Sequence, residues 1–416
     1  MEKARFAPFA VAEKPVGRVP VTVLTGFLGA GKTTLLNALT ARPEMAGTAV
    51  FINELGEIGI DHHLVERIDE SLVILDSGCL CCTVQGDLMR ALMRLHERVS
   101  RREIAPVTRV LIETTGLADP APVLRALMED RLVSARFRCD GVLTVVDCER
   151  ARAQLPRHRE ARVQVSLADR LLLTKSELAG QVETAAVARA LAELNPSAPQ
   201  VVLRAGAAEP DAIFGAGLYS TEAAPTDLGD WLGTASLRAP APGPFAATFG
   251  GAPAHEPSHS GRVRSFVVEF PEAPGWRGFS LALGQILSDW AGRLLRVKGL
   301  IAVPGLEVPV VVQCVDGTAC LPVRLPAWPG SGALADRHGR LVFIGEDLGA
   351  ADEAGIRARL AAIPGDREAL RRSAICPGLP TRSWLSERMP LTPRAGLASE
   401  AFVIQPRFLG GARRHG

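Results

Sequence analysis

Long apolar runs are missing from this 416-residue chain. No segment approaches the roughly 18 consecutive apolar residues that a membrane-spanning helix needs. The opening MEKARFAPFAVAEKPVGRVP lacks the uninterrupted apolar stretch of a secretory leader. The expectation is a soluble, cytoplasmic protein with no membrane partner. Charge of one sign is also missing. Lys and Arg number 47 against 45 Asp and Glu, a net charge of +2, so no nucleic-acid partner is expected. Cysteine is scarce, at eight residues. That is too few for a disulfide scaffold, and clustered thiols in a reducing compartment more often bind metal or do chemistry. Internal repeats are absent. The remainder is 47% hydrophobic and 22% charged, enough for sizeable cores, and the length suits two domains.

Residues 1–18 read as a loose arm. From there, apolar β-branched runs alternate with helical patterns. VPVTVLTG (19–26), TAVFIN (48–53), SLVILD (71–76), RVLIET (109–114), GVLTVVD (141–147), RLLLTK (170–175) and QVVLRA (200–205) read as strands. Residues 32–41, 86–99, 120–129 and 180–194 read as helices. Such alternation specifies an α/β doubly wound, mainly parallel sheet. Residues 236–261, rich in Pro, Gly, Ala and Ser, form a linker by composition. A smaller α+β block follows, with strands expected at 262–270, 297–303, 308–315 and 339–345 and a helix at 279–295. Beyond about residue 364 the periodicity fades.

The sequence GFLGAGKT, Gly26 to Thr33, fits the phosphate-binding loop G-x-x-x-x-G-K-[ST] between a strand and a helix. Its glycines turn backbone N–H groups inward around phosphate oxygens, and the helix N-terminus adds partial positive charge. The backbone of Gly26, Gly29, Ala30, Gly31 and Thr34 lines this cradle. Lys32 reaches the terminal phosphates and Thr33 is the Mg²⁺ ligand. LIETTG (111–116) ends a strand with Glu113 and places Gly116 three residues on. The carboxylate suits Mg²⁺, and the glycine N–H suits the γ-phosphate. At TKSE, Thr174, Lys175 and Glu177 stand where GTPases carry N-K-x-D. A carboxylate accepts from both N1–H and N2 of guanine, a donor pair that adenine lacks. Glu is one methylene longer than Asp, so the loop must shift to place it.

SGCLCCTVQGDL (77–88) gathers Cys79, Cys81 and Cys82 within four positions. Three thiolates suit Zn²⁺ or Co²⁺ and leave a fourth position open, as a carrier requires. A cluster of small buried residues, or a redox pair, is the alternative by spacing alone. INELGEIGIDHHLVE (52–66) supplies Glu54, Glu57, Asp61, His62 and His63 in the place of a nucleotide-sensitive loop. No obvious water-orienting glutamine is seen; Gln85 is a weak candidate. No arginine finger is evident, so slow intrinsic turnover is expected.

TGFLGAGKTTLLN, NELGEIGID, SGCLCCTVQGDL, ETTGLADPAPV and LLLTKSEL occur in this order, and LLRVKGLI and RLVFIG follow. Together they resemble the CobW-type branch of the P-loop GTPases, related to the UreG and HypB metal-insertion GTPases, over roughly 19–350. The resemblance implies a GTPase domain over 19–235, the 236–261 linker, a CobW-like C-terminal domain over 262–350 and an extension over 351–416. It implies a metallochaperone that binds zinc or cobalt at Cys79, Cys81 and Cys82, with Glu57 in the acidic switch segment. The metal passes to a client protein on GTP hydrolysis, the client being recognised through the C-terminal domain. A nucleotide-switched sensor or scaffold, or an activator of one metalloenzyme, is the alternative. Nucleotide-dependent self-association is a further expectation. The histidine-rich stretch of many relatives is reduced here to His255 and His259.

Overall fold

The computed structural model describes residues 17–52, 84–204, 209–215, 263–328, 334–376, 378–387 and 389–390. The segment 71–76, read above as a strand, and the linker 236–261 lie outside them. The first half forms a six-stranded sheet in the order β2-β3-β1-β4-β5-β6. Its strands are β1 (Val19–Gly26), β2 (Thr48–Ile52), β3 (Arg109–Glu113), β4 (Phe137–Asp147), β5 (Arg170–Thr174) and β6 (Gln200–Val202). Every pairing is parallel. The helices are α1 (Lys32–Thr40), α2 (Val84–Ser100), α3 (Ala121–Glu129), α4 (Arg131–Ser134), α5 (Ala151–Arg157), α6 (Arg159–Leu167), α7 (Ser176–Leu194) and α8 (Pro210–Ile213). Central β1 lies between β3 and β4, so its carboxyl end opens onto the crevice where such sheets bind ligands.

Helices α5 and α6 carry no clear sequence signal, for a physical reason. Pro156 sits inside α5. In α6, residues 163 to 167 are buried in succession, so no polar face marks a 3.6-residue period. Strand β4 begins at Phe137 rather than at 141, because it pairs with β1 back to Val19↔Phe137.

The second half is an antiparallel sheet in the order β10-β9-β8-β12-β7, with β11 paired to β9. These strands are β7 (Val263–Phe270), β8 (Leu294–Ile301), β9 (Val310–Val315), β10 (Thr318–Ala319), β11 (Val323–Arg324) and β12 (Gly339–Glu346). Helix α9 (Trp276–Asp289) packs on this sheet through Trp276, Phe279, Leu283 and Ile286. Its end corrects the expected 279–295. Gly292, at φ +74°, turns the chain out of the helix, and Leu294 and Leu295 enter β8 instead. Helices α10 (Ala350–Ala361) and α11 (Asp366–Ser373) continue the chain. Trp384 stacks on Trp276 in the same core, with ring centroids 5.5 Å apart. Leu295 and Val315 of this half join the core beneath the parallel sheet, so the two sheets share packing. Among the described residues, no helix is long and apolar enough to cross a membrane.

Candidate functional site

The phosphate loop leaves β1 at Gly26, whose φ is +143°. A Cβ there would meet Val145 O at 2.4 Å, so only glycine fits. Gly31, at φ +96°, is the N-cap of α1, and the first turn of that helix holds no acidic residue. This leaves the N-terminal N–H groups and the positive end of the helix dipole for an anion. Lys32 is buried, with Nζ donating to Gly26 O at 2.8 Å and Phe27 O at 3.4 Å. Its ammonium therefore lies across the loop that would hold phosphate. The exposed side chain of Thr33 donates from Oγ1 to Glu113 Oε1 at 3.1 Å. A hydroxyl and a carboxylate brought together beside a phosphate cradle are hard oxygen donors of the kind Mg²⁺ takes, so these residues fit that ion.

Glu113 is 5% exposed at the carboxyl end of β3. The turn after it is held from both sides. Thr114 N donates to Leu24 O at 2.9 Å, and Thr114 Oγ1 to Thr25 Oγ1 at 2.8 Å. Gly116 lies against the phosphate loop so closely that a Cβ would meet Leu28 N at 2.8 Å. The Nε2 of Gln164 then donates to Gly116 O at 3.1 Å and Ala118 O at 3.0 Å.

The TKSE segment reaches the same loop. Thr174 Oγ1 donates to Ala30 O at 2.7 Å and to Val146 O at 3.1 Å. Lys175, at φ +55°, is the N-cap of α7. Its Nζ donates to Gly29 O at 2.8 Å and pairs with Asp147 Oδ2 at 2.7 Å. Glu177 lines a groove of about 740 Å³ with Ser176, Gln181, Val202 and Arg204.

Lys32, Thr33, Glu113, Gly116, Thr174 and Lys175 are thus gathered around one loop. Glu177 adjoins it through the first turn of α7. Glu57, Cys79, Cys81 and Cys82 lie outside the described residues, as do Glu54, Asp61, His62, His63, His255 and His259. Two residues went unmarked in the sequence. Asp147, 1% exposed, anchors Lys175 from the end of β4. A carboxylate ending a strand beside the phosphate loop is the signal that could have found it. Gln164, 1% exposed, carries no such signal. Cys148, next to Asp147, is buried and its thiol is pushed up by that burial, which makes it a poor ligand. Among the described residues, Glu269, Asp336 and His338 are close enough to share an ion. However, the Arg340 guanidinium is paired with both carboxylates, so their oxygens already serve a cation.

Residues 20–202 match the model described as CobW/HypB/UreG, nucleotide-binding domain. Residues 263–363 match the cobalamin synthesis protein cobW C-terminal domain. The zinc chaperone CobW of Pseudomonas aeruginosa is 30% identical over 398 residues, covering 86% of this chain and 94% of the relative. The zinc chaperone YjiA of Escherichia coli is 29% identical over 347 residues, covering 83% and 98%. The crystal structure of Zn(II)-bound YjiA GTPase from E. coli superposes with a TM-score of 0.63 at 26% identity, covering 84% of this chain and 99% of that one.

Proposed function

Because this chain belongs to the CobW family of nucleotide-binding proteins, we propose that it is a GTPase that carries zinc, or cobalt, to a client protein. The observation that carries the hydrolytic half is the Thr33–Glu113 pair, 3.1 Å apart, beside a turn seated on the phosphate loop. Lys32 takes the β- and γ-phosphates, Thr33 and Glu113 hold Mg²⁺, and the N–H of Gly116 meets the γ-phosphate. Mg²⁺ would offset phosphate charge as the bond to the leaving group lengthens. Lys175 packs over the base with its ammonium tied to Gly29 O and Asp147. Glu177 selects guanine by accepting from two donors on one edge of the base.

The zinc half is supported by the relatives' names and by the chemistry of Cys79, Cys81 and Cys82. GTP orders the segments 52–66 and 77–88, and Glu57 joins the three thiolates around the metal. Hydrolysis removes the γ-phosphate contacts, the ligand set loosens, and zinc passes to the client. The block over 262–350 is the client-recognition module.

The test of the hydrolytic reading is turnover of GTP against ATP with Mg²⁺. GTP should be preferred, and Lys32→Ala and Glu113→Gln should each lower turnover by about 100-fold or more. Equal use of ATP, or full activity in Glu113→Gln, would contradict it.

A further inference from the structure

Gln164 holds the Glu113–Ala118 turn from the middle of α6. Both N–H bonds of its carboxamide are spent on the carbonyls of Gly116 and Ala118, while its Oε1 is buried and accepts no hydrogen bond among the described residues. The amide orientation is forced, since the flipped form would face oxygen to two carbonyl oxygens.

The helix that carries Gln164 supplies the rest. The side chain of Thr144 holds Gln164 O at 2.8 Å, tying α6 to β4. The carbonyls at the end of α6 are all taken. Asn195 Nδ2 donates to Val165 O, Ser166 O and Ala168 O at 2.8, 3.2 and 3.0 Å. Leu167 O accepts from Arg296 Nη1 of β8 at 2.9 Å. Arg296 also pairs with Asp169, just past the helix, and donates to Gln313 of β9 at 3.0 Å. At the other end, Arg159 pairs with Glu346 of β12 at 2.7 Å. So α6 grips the antiparallel sheet at both ends and the Glu113–Ala118 turn in its middle.

We propose that Gln164 is a positioning residue for the nucleotide reaction, and that through it α6 conveys the state of the Glu113–Ala118 turn to the C-terminal sheet. The proposal rests on the GTPase reading above. Gly116 touches the phosphate loop at Leu28. If Gly116 shifts toward a γ-phosphate, the two hydrogen bonds must break or the carboxamide must follow. Gln164 itself is 1% exposed, and its carboxamide bonds both carbonyls of the turn, so the turn and the helix are expected to move together. A helix pinned to β8 and β12 then hands that displacement to the second sheet, the kind of contiguous, hydrogen-bonded route along which coupling can travel.

The experiment uses the full chain with Mg²⁺ and compares wild type with Gln164→Met, which keeps the volume and removes the donors. Fluorescent GDP and a non-hydrolysable GTP analogue give two affinities, and hydrogen exchange is followed over residues 294–301 of β8. In wild type, exchange there should differ between the two nucleotides. In Gln164→Met, that difference should vanish. The preference for the GTP analogue over GDP should fall by about tenfold, with GDP affinity changed less than about twofold. A merely structural role would lower both affinities together. Should Gln164→Met fail to fold, Gln164→Asn, which withdraws the amide by one methylene, is expected to give the same pattern. A folded variant with wild-type preference and wild-type exchange overturns the proposal alone. A wild-type chain that fails to hydrolyse GTP overturns the functional reading and this proposal with it.

Discussion

Gly116 is held to glycine by a contact rather than by a backbone angle, since a side chain there would collide with Leu28 of the phosphate loop. Gly116→Ala must therefore push the turn and the loop apart. GTP turnover is expected to fall by about 10- to 100-fold, as small misplacements of reacting groups do. Thermal stability should change far less. Steady-state assay beside a melting curve checks this, and unimpaired turnover would contradict the role given to the turn. Residues of this kind were legible in the sequence. The spacing of Gly26, Gly31, Lys32 and Thr33 encodes a backbone cradle, and Glu113-x-x-Gly116 encodes a strand end with a close approach. Asp147 and Gln164 were less so. Each acts on a loop that only the sheet brings near, across 28 residues to Lys175 and 48 to Gly116. TVVD offers a carboxylate at a strand end but not its partner, and nothing local in ARVQVSL marks Gln164.

At the scale of elements, fully buried strands such as β9 and β12 were legible as short apolar runs, whereas a helix buried over most of its length was not. Helix α2 shows its pattern plainly, whereas α6, buried over residues 163 to 167, has no polar face to mark a period; β8, buried along its whole length, was expected from 297 and begins at Leu294. Strand β8 even buries Arg296 and Lys298 against the parallel half. Lys298 donates to Ser197 O at 3.1 Å and lies 3.8 Å from Asp169. Burial pushes its pKa from the ordinary 10.5 down to about 7, and Asp169 opposes that shift while Arg296 adds to it. Unfolded, the lysine keeps its proton to the higher value, so above pH 7 the unfolded chain binds more protons than the folded one. Stability contributed by this group therefore rises with pH through that window and is flat below it. Lys298→Met should remove the rise, which urea midpoints from about pH 7 to about pH 9 can check. An unchanged pH slope in the variant would show that Lys298 stays charged in the folded protein.

At the scale of the whole molecule, two sheets of opposite character divide the labour. The parallel sheet places a phosphate loop at its carboxyl edge, and the antiparallel sheet is fastened to it by a shared core and by buried ion pairs. Desolvation offsets much of the attraction in a buried pair of this kind, so its net contribution to stability is small. Such fastening suits the coupling between the two halves proposed above. The packing of α11 and of the 382–386 turn on α9 leads us to propose that the C-terminal unit extends beyond residue 350. The sequence alone pointed to both halves by the switch from alternating strands and helices to a Pro- and Gly-rich stretch. How the halves join lies in side chains with no motif.

GTP is expected to gate the binding of zinc. Zn²⁺ would be titrated against a competing chelator near neutral pH, first with the protein alone and then with Mg²⁺ and a non-hydrolysable GTP analogue. The account expects zinc to bind about 5- to 150-fold more tightly with the analogue, and GTP to bind more tightly with zinc by the same factor. Changing Cys79, Cys81 and Cys82 together to Ala should abolish that site. Equal zinc affinity in both nucleotide states, or a gain that survives loss of the three thiols, would contradict it.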